Sequence, residues 1–159
     1  MEILLKQATN LLDDRDLLAA LGNFSALIFY EVEDLNWVGF YRLKNDELVL
    51  GPFNGKAACS HLSLKSGVCA LSVKKEEVVN VKNVHDFKGH IACDTNSQSE
   101  LVLPLYQNKK LWGVLDIDSP KLDRFKSEEV ALFKKLQILL NERLTQAVLI
   151  EEVHVLHDI

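Results

Sequence analysis

The pattern of apolar positions divides the chain into a helical start, a β-prone middle and a helical end. Residues 15–33 carry apolar side chains at roughly helical spacing, which predicts an amphipathic helix. Asp13 or Asp14 can cap that helix by accepting hydrogen bonds from its free N–H groups. A second helix is predicted to begin at Ser127 and to continue for about six turns. Its apolar positions are Val130, Phe133, Leu136, Leu140, Leu144 and Val148.

Between these helices, short β-prone runs come in pairs. NWVGFYRL and ELVLGPF flank Lys44-Asn45-Asp46, and LVLPLY and KLWGVLDID flank Gln107-Asn108-Lys109, so each pair predicts a β-hairpin. VVNV at residues 78–81 is a further strand candidate, and the polar stretch at 82–99 follows it. A loop of that length in a compact domain is more often functional than idle. A helix, hairpins with one crossover and a closing helix predict an α+β domain with an antiparallel sheet.

Length and charge narrow the class of protein. The 159 residues suit one domain with a substantial core. The net charge is −5, and no basic stripe of the kind that binds phosphates is evident, so nucleic acid is not an expected partner. No apolar run approaches the length of a membrane span, and the N-terminus lacks the layout of a signal peptide. We therefore expect a cytoplasmic protein that does not associate with membranes.

The three cysteines are the first candidates for chemistry. An odd number without a CxxC pair does not indicate a structural disulfide framework. Cys59 and Cys69 follow small or apolar residues, so the default interpretation is that both are buried hydrophobic side chains. Cys93 lies in the long polar segment between His90 and Asp94, where an exposed thiol next to an electropositive group could react as a thiolate.

A zinc site is an alternative use of these thiols. His61, His85 and His90 could gather with the cysteines around a metal ion. The spacings Cys59-x-His61 and His90-x-x-Cys93 match no known zinc finger, and no second CxxC is present. The pattern therefore favours a metal-free protein, with zinc as the lesser hypothesis.

Carboxylates and aromatic residues form two further candidate groups. Asp116 and Asp118 lie two apart at the end of a strand, so alternation places both on one face among apolar neighbours. Repulsion and burial would raise their pKa and let one act as a proton donor. Alternatively, residues 118–120 form a turn that ends the strand, and Glu100 is an ordinary edge charge. Trp37 and Tyr41, four apart on a strand, are either core or one wall of a pocket.

Several motifs, in this order and spacing, resemble the free methionine-(R)-sulfoxide reductases, a family built on a GAF domain. They are NWVGFY, LVLGPFNGKAAC, GVC, NVHDFKGHIACD, SELVLPL and GVLDIDSP, and all three cysteines fall within them. The resemblance covers about residues 15–145 and implies a single GAF domain over residues 1–159. It implies an antiparallel sheet of about six strands flanked by N- and C-terminal helices.

The resemblance also implies an activity. It is that of an antioxidant oxidoreductase, which reduces free L-methionine (R)-sulfoxide and not the protein-bound residue. It implies a homodimer that needs no metal or organic cofactor and receives electrons from thioredoxin or a similar dithiol. A sulfenic acid and then a disulfide are the expected intermediates. The alternative function is a non-catalytic GAF domain that senses a small molecule or redox state, because fold does not fix function.

Residue roles follow from the same motifs. Cys93 in HIACD would be the attacking thiol, with Cys69 in GVC and Cys59 in KAAC as the partners that form a disulfide. The residues that would surround the sulfoxide are Glu100, Asp116 and Asp118, and those that would line the methyl end of the pocket are Trp37 and Tyr41. The sequence departs from the family pattern at Ala70, where glycine is expected, and at Gln98, where asparagine is expected.

Overall fold

This computed structural model describes residues 1–87 and 95–157, and it describes side chains only up to residue 147. Helices and strands occupy most of these residues. The strands are β1 (Trp37–Lys44), β2 (Glu47–Gly55), β3 (His61–Ser63), β4 (Val79–Val81), β5 (Ser99–Gln107) and β6 (Lys110–Ser119). The α-helices are α1 (Glu2–Leu12), α2 (Leu17–Glu31), α3 (Val68–Lys75) and α4 (Ser127–His157), and one 3-10 turn spans Val84–Asp86.

The six strands form one sheet in the order β3-β2-β1-β6-β5-β4, and every neighbouring pair is antiparallel. This confirms the predicted α+β class, both hairpins and the strand at VVNV. Each hairpin turn is two residues long, Asn45-Asp46 and Asn108-Lys109, and all four residues have positive φ. That backbone geometry matches the right-handed twist of the paired strands, which is why it is favoured in tight hairpins.

Helices cover one face of the sheet, and the other face carries α3 and the loops. Because side chains alternate along a strand, Val38 and Phe40 of β1 join the core beneath α2 and α4. Trp37 and Tyr41 join a second, smaller cluster that includes Val68 and Cys69 of α3. The helical face therefore supplies most of the buried apolar side chains, and the opposite face is available for polar groups.

Asp16, and neither Asp13 nor Asp14, caps the N-terminus of α2. Its backbone is extended, and its carboxylate accepts a hydrogen bond from the Ala19 N–H at 2.8 Å. The predicted cap was wrong because a separate helix, α1, precedes α2 and occupies the chain up to Leu12. Asp13 is the C-cap of α1, and the Asp14 side chain instead accepts from the Asp16 N–H. The position of the cap is thus set by the short connection after α1, a helix that the apolar pattern did not predict.

Helix α4 begins at Ser127, as predicted. Four of its six predicted core positions are fully buried, namely Phe133, Leu136, Leu140 and Leu144, and Val130 packs against them. The side chain of Val148 lies outside the described residues. Asn141 accepts from the Tyr106 N–H, and Gln107 donates to the Leu144 carbonyl, so polar contacts also fix α4 on the β5–β6 hairpin. No helix within residues 1–87 and 95–157 is both long enough and apolar enough to cross a membrane.

Truncation at Leu140 tests the account of the helical face. Leu140 is fully buried between α4 and the sheet, so Leu140→Ala removes apolar contacts and leaves a cavity. We expect the free energy of unfolding to fall by about 2–5 kcal/mol, measured by urea denaturation. Ile138, two residues earlier, is 58% exposed, and Ile138→Ala should change the same quantity by less than about 0.5 kcal/mol. Equal losses in the two variants would contradict this placement of α4.

Candidate active site

The pairing of β5 with β6 gathers three carboxylates on the face opposite the long helices. Glu100 lies directly across from Asp118, and Val102 lies across from Asp116. Asp116 and Asp118 are two residues apart on β6, so their side chains emerge on the same face as that of Glu100. Asp118 also pairs with Trp37 of β1, which brings the aromatic residues to this group.

Two sequence-based alternatives are thereby excluded. Strand β6 continues through Asp118 to Ser119, so Asp118 does not begin a turn. Glu100 is not an edge charge, because β5 lies between β6 and β4 and because Glu100 is only 6% exposed. The prediction that Asp116 and Asp118 share one face is confirmed, and Glu100 joins them across the ladder.

Helix α3 adds a thiol to these carboxylates. Its N-cap is Gly67, with φ of 98°, a conformation that L side chains rarely adopt. Cys69 follows in the first turn of α3 and is buried, with its Sγ 3.9 Å from Glu100 Oε1. Cys69, Glu100 and Asp116 each offer an S or O atom, and these atoms all lie within 4.8 Å of one another. The predicted burial of Cys69 is confirmed, but its surroundings are polar rather than purely apolar.

Burial and like charge determine the protonation of this cluster. Burial raises the pKa of Glu100 well above its usual range, and the charges of Asp116 and Asp118 raise it further. The pKa of the Cys69 thiol is also raised well above its ordinary value, by burial and by the three neighbouring carboxylates. A helix N-terminus normally lowers a thiol pKa, but here desolvation is the stronger effect. The direction of both shifts favours the protonated forms of Glu100 and Cys69.

Burial also disfavours the ionised form of Asp116. Desolvation raises its pKa from 3.8 to about 6, although hydrogen bonds from Cys69, Glu100 and the Ile117 backbone oppose that shift. Its Oδ1 atom is buried and has no hydrogen-bond partner among the residues that the structure describes. A buried carboxylate oxygen without a donor is costly, which is consistent with the raised pKa of this residue.

Three aromatic rings form a flat wall beside the carboxylates. The ring centroids of Trp37 and Tyr41 are 5.7 Å apart at 21°, and those of Trp37 and Phe53 are 5.3 Å apart at 15°. Gly39 makes room for the indole, since a Cβ there would lie 2.4 Å from Trp37 Cη2. The shared face of Trp37 and Tyr41 is confirmed. Phe53 was missed by the sequence reasoning because its stacking depends on the Gly39–Phe53 pairing between β1 and β2.

The other two cysteines, Cys59 and Cys93, are not part of the buried group around Cys69 that the structure describes. Cys59 is half-buried in the loop after β2, so it is not the fully buried residue that its neighbours predicted. Its main-chain carbonyl accepts a hydrogen bond from the Tyr41 hydroxyl at 3.0 Å. Cys93, with His90 and Asp94, lies outside the described residues.

The described histidines do not join the thiols in a zinc site. His61 is exposed and pairs with Glu47 at 3.0 Å, and His85 is also exposed. In the described part of the chain, the group with the spacing of metal ligands is instead Cys69, Glu100 and Asp116.

The two departures from the family pattern fall in ordinary backbone. Ala70 is buried within α3, where alanine favours the helix more than the expected glycine would. Gln98 uses its main chain to accept from the Val84 N–H and to donate to the Ser119 carbonyl. Neither residue disturbs the cluster of carboxylates.

Comparison with known proteins agrees with this architecture. The GAF domain family matches residues 15–137, which makes the chain a GAF domain protein. It is 50% identical over 112 residues to the free methionine-R-sulfoxide reductase of Escherichia coli, covering 70% of this chain and 68% of that protein. The chain belongs to the free methionine-R-sulfoxide reductase family.

Solved structures support the same assignment. The reduced form of fRMsr of Staphylococcus aureus superimposes with a TM-score of 0.86 at 43% identity, covering 90% of this chain and 94% of that one. The free methionine-R-sulfoxide reductase of Neisseria meningitidis, in complex with its substrate, has a TM-score of 0.86 at 35% identity, covering 91% and 87%.

The raised pKa of Asp116 predicts a pH-dependent cost in stability. Since an ionised Asp116 is disfavoured in the folded protein, that cost is small near pH ~4 and complete above pH ~7. Asp116→Asn removes it. We expect the stability of the variant, relative to wild type, to increase by roughly 2–3 kcal/mol between these pH values in urea denaturation.

Asp123→Asn provides a control of opposite sign. Its hydrogen bond and ion pair with Lys126 lower the pKa of Asp123, so the stability it contributes is present at neutral pH and lost on acidification. The stability of that variant relative to wild type should therefore fall as the pH rises. A pH-independent difference for Asp116→Asn would show that Asp116 is not strained in the folded state.

Proposed function

We propose that this chain reduces free L-methionine (R)-sulfoxide to L-methionine by thiol chemistry. The observation that carries the proposal is the buried group of Glu100 and Asp116 beside Cys69, in which burial raises the pKa of Glu100 well above its usual range and that of Asp116 to about 6. Sulfoxide reduction needs such a group, because the oxygen must be protonated as it leaves sulfur. Membership of the reductase family, and relatives solved with substrate, support the same activity.

The first step is assigned to Cys93, Glu100 and the substrate. The Cys93 thiolate attacks the sulfoxide sulfur, Glu100 supplies a proton to the oxygen, and the oxygen ends on the Cys93 sulfur as a sulfenic acid. The sulfoxide is thereby reduced to methionine, and the thiol is oxidised. Glu100 suits this role because its pKa is raised the most clearly of the carboxyl groups at the site. Asp116 and Asp118 complete the polar wall around the sulfoxide.

A second thiol then restores the enzyme. The sulfenic acid condenses with a thiol, releases water and forms a disulfide, which a dithiol donor of the thioredoxin type reopens by exchange. Attack requires a thiolate, and the raised pKa of Cys69 makes that thiol the slower candidate. Cys59 is half-exposed, so it can also meet a protein donor. We therefore assign the first disulfide to Cys59 and Cys93, with Cys69 as the remaining partner.

The aromatic wall is assigned to the methyl end of the substrate. Trp37 and Tyr41 stack with their faces nearly parallel, which presents a flat apolar surface next to Asp118 and Asp116. A methionine sulfoxide has a small apolar methyl group beside a polar oxygen. Such a substrate matches a site with one aromatic wall and one acidic wall.

Three further expectations accompany this activity. We propose that residues 1–159 form a single GAF domain, that the protein works in the cytoplasm and that two copies associate as a homodimer. Exposed apolar side chains on α1 and α2, namely Ile3 and Leu18, offer surface for such a contact. Sedimentation analysis of the reduced protein tests the dimer directly.

The activity is tested by coupling thioredoxin-dependent NADPH consumption to three substrates. These are the free (R)-sulfoxide, its (S) epimer and a peptide that contains the (R)-sulfoxide. We expect turnover of the free (R) form alone. Equal turnover of the peptide would contradict the proposed substrate, and tight binding of the free (R)-sulfoxide without release of methionine would indicate a sensor.

Cysteine variants separate the two stages. Without reductant, the wild type should release a single equivalent of methionine, and Cys93→Ser should release none because the attacking sulfur is gone. Cys59→Ser should still release methionine once but should fail to turn over with thioredoxin, because the disulfide cannot form. Sustained turnover by Cys59→Ser would exclude Cys59 from the cycle.

A further inference from the structure

The aromatic wall also holds the loop that carries Cys59. The Trp37 Nε1–H donates a hydrogen bond to the Lys56 carbonyl oxygen at 3.1 Å, and the Tyr41 hydroxyl donates to the Cys59 carbonyl oxygen at 3.0 Å. At the far end of the loop, the Leu50 N–H donates to the Ser60 carbonyl oxygen at 2.9 Å. A segment without helix or strand between Lys56 and Ser60 is therefore fixed at three points, two of them by the same pair of rings.

The rings themselves have little freedom. Trp37 stacks with both Tyr41 and Phe53, and both Trp37 and Tyr41 are almost fully buried. Gly55, where the loop leaves β2, has φ of 130°, and a Cβ there would lie 2.7 Å from Trp37 Cδ1. The start of the loop thus fits against the indole only with glycine at this position. A rigid support that contacts main-chain atoms will define the position of the loop more strictly than side-chain packing alone.

We propose that Tyr41 is a positioning residue for Cys59, and that its hydroxyl sets the rate at which the Cys59 thiol forms a disulfide. This inference rests on the proposed function, in which Cys59 condenses with the Cys93 sulfenic acid. In that step the S–O bond of the sulfenic acid breaks, the S–S bond forms and water leaves with the thiol proton. In this step Tyr41 neither gives nor takes a proton, and its hydroxyl acts through the Cys59 main chain.

The geometry explains why such support matters. A disulfide forms only when the two Cβ atoms come within about 3.5–4.5 Å with a suitable dihedral angle. A thiol whose position is not fixed reaches this geometry less often and therefore reacts more slowly. The Tyr41 hydroxyl donates its hydrogen bond to the main-chain carbonyl oxygen of Cys59 itself. The position of the Cys59 main chain in turn determines where the Cys59 sulfur can lie. In the proposed function the same ring also contacts the methyl end of the substrate, so one side chain serves both roles.

Tyr41→Phe tests the inference because it keeps the ring and removes only the hydroxyl. The first measurement is the alkylation rate of Cys59 by iodoacetamide, in a Cys69→Ser, Cys93→Ser background where Cys59 is the remaining thiol. We expect Tyr41→Phe to raise that rate on the order of fivefold, the effect of one lost hydrogen bond. Tyr106→Phe is the matched control, because its hydroxyl also donates to a main-chain carbonyl, that of Glu76, outside the site. It should leave the rate unchanged.

The second measurement separates the chemical steps in the protein with all three cysteines. Methionine release and disulfide formation are followed in a single turnover without reductant. For Tyr41→Phe we expect disulfide formation to slow by about fivefold more than methionine release does. An equal slowing of both steps, or an unchanged alkylation rate of Cys59, would overturn the inference. If the wild type released no methionine, the proposed function would fail, and the alkylation rate would still decide whether Tyr41 positions Cys59.

Discussion

The proposed active site depends on the antiparallel pairing of β5 and β6, which places Glu100 directly opposite Asp118 and two pairs along the ladder from Asp116, on the same face. Strand alternation alone would give two aspartates on one face. The ladder adds a third carboxyl group at a distance where charges cannot all be present together in a buried site. Helix α3 then brings Cys69 against them and reduces their access to water. Raised pKa values follow from this arrangement, and so does the ability to supply a proton near neutral pH.

Apolar burial on the opposite face of the sheet offsets the free-energy cost of burying these polar groups. Phe133, Leu136, Leu140 and Leu144 of α4 are completely buried there, together with alternate residues of the central strands. Functional sites commonly reduce stability because they hold charges and unpaired polar atoms away from water. Here the two requirements are divided between the faces of one sheet. The face with α3 carries the proposed catalytic groups, and the face with the long helices supplies most of the apolar burial.

Local patterns predicted much of this architecture. Alternation and turn residues predicted both hairpins, the shared face of Asp116 and Asp118, and the shared face of Trp37 and Tyr41. The burial of Glu100 was not predictable locally, because it depends on which strands flank β5 in the finished sheet. The acidic surroundings of Cys69 arise from the docking of α3, and the support of Cys59 by Tyr41 joins residues 18 apart. Each of these features is a tertiary contact that periodicity does not encode.

The central claim is that a buried carboxyl group at this site stays protonated near neutral pH. Infrared spectroscopy tests it most directly, because the C=O stretch of a protonated carboxylic acid is distinct from the bands of a carboxylate. We predict that the reduced wild-type protein shows this band near neutral pH and that Glu100→Gln reduces it, because the pKa of Glu100 is raised well above its usual range. A wild-type spectrum without the band, or a band that Glu100→Gln leaves unchanged, would contradict the account.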